Sequence, residues 1–85
     1  MMTKTNKKQT LNTYMGKPLV WSKNNWMILL RREGDENWDP SFTVLNEKTG
    51  FADYPIKYDS GVIAFDRPDA IPQYVQKALE DAYRQ

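Results

Sequence analysis

Apolar positions in this chain come in short bursts divided by turn-forming residues as far as about residue 65, and then change to a helical spacing. Leu19-Val20-Trp21, entered through Pro18, reads as a short strand. Proline suits the first position of an edge strand, where its missing N–H leaves no ladder bond unmade. Ser22-Lys23-Asn24-Asn25 reads as a turn, since asparagine tolerates left-handed backbone angles. Trp26–Arg32 is then a second strand, and a four-residue loop sets Trp21 directly opposite Trp26 on one face of the hairpin.

Glu33–Pro40 is a loop, because Gly34, Asp35, Asn37, Asp39 and Pro40 each interrupt regular structure. Phe42-Thr43-Val44-Leu45 returns as a strand, and Asn46-Glu47-Lys48-Thr49-Gly50 as a turn. Phe51–Tyr58 has strand composition but contains Pro55, which implies a bulge, an edge position or two short pieces. A tight turn at Asp59-Ser60-Gly61 leads into a further strand, Val62-Ile63-Ala64-Phe65. Strands this closely spaced describe an antiparallel meander.

Pro72 then fits the first position of a helix, with Ile71, Val75, Ala78, Leu79 and Ala82 on one face. Gln73, Gln76, Lys77, Glu80, Asp81 and Arg84 fall on the other. A helix over Pro72–Arg84 is about 20 Å long, enough to lie across several strands. The expected fold is therefore α+β: an antiparallel β-meander of four to five short strands with one C-terminal helix packed on one face.

One strand breaks the alternation. Trp26–Arg32 presents Trp26, Ile28 and Leu30 on one side, and Met27 and Leu29 before Arg31 on the other. A single helix covers one face only, so the second needs the segment around Leu11–Met15, a second copy in a homodimer, or a partner protein. Met27 and Leu29 are on that ground candidate partner-binding residues.

Composition narrows the chemistry. The chain's 85 residues suit one domain, and 40% apolar content with eleven aromatics is globular. Residues 1–13 are polar, basic and aperiodic, and read as a flexible tail preceding a single α+β domain at 14–85. No signal-like h-region and no membrane-length apolar run is present, so a cytoplasmic location away from membranes is expected. Without cysteine or histidine there is no thiolate or imidazole for a nucleophile, a zinc ligand or a triad. The eleven acids have no distinguishing spacing, so neither enzyme activity nor a cofactor is expected. Asp35, Asn37 and Asp39 match the first alternating ligands of an EF-hand loop. Pro40 then replaces the required glycine and Asn46 the closing glutamate, so no metal site is expected.

Charge is lopsided. Lys4, Lys7, Lys8, Lys17, Lys23, Arg31 and Arg32 precede the first acid, Glu33, whereas residues 33–85 hold eleven acids against five bases. The halves can simply neutralise one another. Alternatively, Lys4, Lys7, Lys8, Lys23, Arg31 and Arg32 make a basic stripe able to track phosphates, with Trp21 or Tyr14 stacking on bases. The loop acids Asp35, Glu36 and Asp39 surround Trp38. That tryptophan either folds back over the sheet as a lid on the core, the favoured reading, or projects as an interface anchor whose acidic surround would select a basic partner. The function expected from these features is a small non-catalytic interaction module that binds a protein partner, in the manner of an inhibitor or assembly factor. The alternative is a nucleic-acid binder using the N-terminal stripe.

Overall fold

The structure, a computed structural model, describes residues 12–34 and 38–84. Five strands form one antiparallel sheet in chain order: β1 (Thr13–Tyr14), β2 (Lys17–Lys23), β3 (Trp26–Arg32), β4 (Ser41–Asn46) and β5 (Ala52–Asp53). A second hairpin pairs β6 (Ile56–Lys57) with β7 (Ile63–Ala64). A 3-10 turn at Pro68–Ala70 leads to helix α1 (Gln73–Arg84). This is the α+β meander with a C-terminal helix that the pattern predicts. Of the segment 1–13, only Asn12 and Thr13 are described, and Thr13 already belongs to β1. No helix among the described residues is long and apolar enough to cross a membrane.

The core lies between α1 and one sheet face. Ile28, Phe42 and Val44 meet Ile71, Val75, Leu79, Ala82 and Tyr83, with Trp21, Trp26 and Leu30 at the margin. Phe42 and Tyr83 pack edge to face with centroids 4.8 Å apart, a geometry favoured by the ring quadrupoles. The helix is amphipathic as its spacing requires, and begins one residue after Pro72.

The β2–β3 turn corrects the expected register. Asn24 and Asn25 both have positive φ, 53° and 71°, the signature of a two-residue type I′ turn whose twist matches the flanking strands. Pairing therefore continues through Ser22↔Met27 and Lys23↔Trp26, and Trp21 stands opposite Ile28 rather than Trp26. The two indoles still share the helix-side face. Trp21 packs beside Tyr74 at 6.2 Å and Trp26 beside Phe51 at 5.7 Å.

Pro55 cuts the 51–58 segment into two pieces in different sheets. β5 completes the meander while β6 turns away to pair with β7, so the strand expected at 62–65 is not a member of the main sheet. Asp53 holds the two parts together. It is 1% exposed, and its carboxylate oxygens accept the backbone N–H groups of Asp66 and Arg67 at 3.3 and 3.1 Å. A buried carboxylate is tolerated only when its lone pairs are satisfied in this way.

Candidate functional site

At the end of the sheet near β6, two adjacent arginines each lie against an exposed aromatic ring, Tyr54 for Arg31 and Trp38 for Arg32. Arg31 ends the alternating row Met27, Leu29, Arg31. Its Nε donates to the Phe42 carbonyl at 2.9 Å, and its guanidinium lies 5.2 Å from the Tyr54 ring centroid. A register shift between Leu30 and Arg32 re-aims the next side chain, as bulges do at sheet rims. The Arg32 guanidinium is thereby set 4.7 Å from the Trp38 centroid. Both distances are within cation–π range.

The loop base explains why Trp38 sits there. A Cβ on Gly34 would lie 2.5 Å from the Trp38 carbonyl oxygen and 2.7 Å from the Pro40 nitrogen, so only glycine allows the two loop arms to approach this closely. Asp39 is held from the other side by Lys57, whose Nζ donates to its carboxylate at 3.2 Å. The same ammonium lies 5.5 Å from the Tyr83 ring centroid. The Tyr83 phenol is pushed above its ordinary pKa chiefly by burial, with Arg31 pulling it down and Asp39 pushing it up.

Trp38 is 59% exposed. The lid reading is thus corrected: the indole lies against Arg32 at the surface and is not folded into the core. Beside it, Arg31, Arg32, Asp39, Ile56 and Tyr83 line a surface cleft of about 330 Å³. Tyr54, Ile56 and Tyr58 alternate along the Pro55-broken segment, and each is more than half exposed. In the sequence these three are masked by the break at Pro55. The readable signal was the period-two row of large side chains at 54, 56 and 58.

The other candidates fare differently. Met27 and Leu29 are 5% and 2% exposed, so both are buried in the sheet's second face and neither projects as an anchor for a partner protein. Tyr14 and Met15 border the same cleft as Leu29. Asp35 and Glu36 lie outside the described residues, as do Lys4, Lys7 and Lys8. Lys23 sits at the hairpin tip over Tyr74, 5.6 Å from its centroid and on the helix side. Lys23 pairs with Trp26, and Arg31 lies five strand residues beyond Trp26, roughly 17 Å along the ladder. Lys23 and the arginines therefore do not form one continuous stripe. Among the described residues no group of three acids is placed to hold a metal ion.

No protein-family model, curated protein or solved structure matches the chain.

Proposed function

We propose that this protein is a non-catalytic interaction module that docks a protein partner on the corner formed by Trp38, Arg31, Arg32, Tyr54, Ile56 and Tyr58, acting as an inhibitor or assembly factor. One observation carries the reading: an indole that is 59% exposed is held in place by Arg32, next to Arg31 and the exposed Tyr54 ring that Arg31 lies against. Trp, Tyr and Arg are the residues that dominate interface energetics, and rings held by a neighbouring cation lose little freedom on binding. Asp39 adds a carboxylate at the rim, where charge governs partner choice more than affinity.

The test is capture with the wild-type chain and with Trp38→Ala and Tyr54→Ala, followed by photo-crosslinking from position 56. The reading expects a protein that crosslinks at position 56 and loses about 2 kcal/mol or more of affinity in Trp38→Ala, with the fold intact. Equal capture by wild type and both variants overturns it.

The second reading is nucleic-acid binding. It is favoured by Arg31 and Arg32 standing beside Tyr54 and Trp38, because single strands are held by cations with aromatic stacking platforms. Lys4, Lys7 and Lys8 would extend it; the separation of Lys23 from the arginines weighs against one tract.

A further inference from the structure

The second face of the sheet carries a cleft of about 490 Å³, a volume typical of small-molecule sites. Leu29, Leu45 and Ala52 contribute apolar floor, and Tyr14 and Tyr54 stand at its sides. Thr43, on β4 directly opposite Leu29, belongs to the same floor. It is 6% exposed, and its hydroxyl oxygen is buried with no hydrogen-bond partner. Native interiors rarely leave such a group unmatched, and each instance calls for an explanation. Turning threonine about Cα–Cβ by one staggered well can bring its hydroxyl to the place its methyl held, so the side chain can present either group to the cleft.

Rim charge narrows the ligand. Lys17 and Glu47 both border the cleft, and their opposite charges leave it without a net preference for an anion or a cation. We propose that this cleft binds a neutral, mainly apolar small molecule carrying one hydrogen-bonding group, of the chemistry of an aryl alcohol. The apolar body lies on Leu29, Leu45 and Ala52, and its polar group pairs with the Thr43 hydroxyl. Binding then removes apolar surface from water and satisfies that orphaned oxygen together. Tyr54 borders both this cleft and the arginine corner, but the site does not depend on the partner-docking reading.

The probe is 2-naphthol, titrated into the isotopically labelled full chain and followed by amide shifts. Saturable shifts at Leu29, Thr43, Leu45 and Ala52 are expected. Thr43→Val, which keeps the shape and removes the hydroxyl, should weaken binding about tenfold. Thr43→Ser should retain it, and Ala52→Leu, which fills the floor from β5, should abolish it. The proposal is overturned by shifts that do not saturate or that map elsewhere. It is equally overturned by Thr43→Val binding as tightly as wild type. Should Thr43→Val not fold, unchanged binding in Ala52→Leu overturns it alone.

Discussion

Gly34 governs where Trp38 sits. Any side chain there would press on the backbone of Trp38 and Pro40, so the loop arms must part. Gly34→Ala should leave the core melting transition nearly unchanged while shifting tryptophan fluorescence, as the indole leaves the Arg32 guanidinium. Trp38→Ala should alter stability by no more than about 0.5 kcal/mol, the usual range for a surface substitution. A loss of 2 kcal/mol in denaturant unfolding would show that the indole packs as part of the core. Tyr83 makes a pH-dependent contribution. Its phenol titrates higher in the folded chain than when unfolded, so the neutral form is favoured by folding. The associated stability is complete below about pH 10, the unfolded value, and is lost as pH rises through the folded value. The midpoint of urea unfolding should therefore fall more steeply above pH 10 in wild type than in Tyr83→Phe.

Among the elements, α1 matters most to stability. Leu79 and Val75 are fully buried against Ile28 and Val44. Leu79→Ala should cost about 2–4 kcal/mol in a denaturation experiment, a large share of the roughly 4–13 kcal/mol available to a chain this long. The helix was legible because Ile71, Val75, Leu79 and Ala82 repeat at its own period, and the strands were legible because turn residues bound them. Register was not. Ser22-Lys23-Asn24-Asn25 fits a four-residue loop by composition, and only the positive φ of both asparagines selects the shorter turn. Nor was the fate of Met27 and Leu29 readable, because a doubly apolar strand has the same sequence whether its second face is covered locally or by another molecule. Of the candidate site, the sequence singled out Trp38, Arg31 and Arg32. It did not reveal that Arg32 meets Trp38, since that contact depends on a bulge between Leu30 and Arg32 with no compositional mark. Asn25→Gly should raise stability by several tenths of a kcal/mol, as glycine takes φ 71° without strain.

Over the whole molecule, the basic first third and acidic remainder frame the choice between partners. If the nucleic-acid reading holds, affinity for a single strand should fall with salt at a log–log slope of roughly −0.7 per phosphate contact. Deleting residues 1–10 should then flatten that slope without moving the melting temperature. Absence of binding at low salt removes the reading. The sequential order β1 to β5 has a different consequence, which concerns synthesis. Each strand of the sheet pairs with its neighbour in the chain, so the meander has its partners at hand soon after each strand is made. The helix that covers Ile28 and Val44 comes last of the described elements. Between the synthesis of Val44 and that of Leu79 a ribosome moving at about 5–20 residues per second spends roughly 2–7 s. Throughout that interval the sheet's future inner face has no cover, and the nascent chain presents the kind of bare apolar strand surface that chaperones bind.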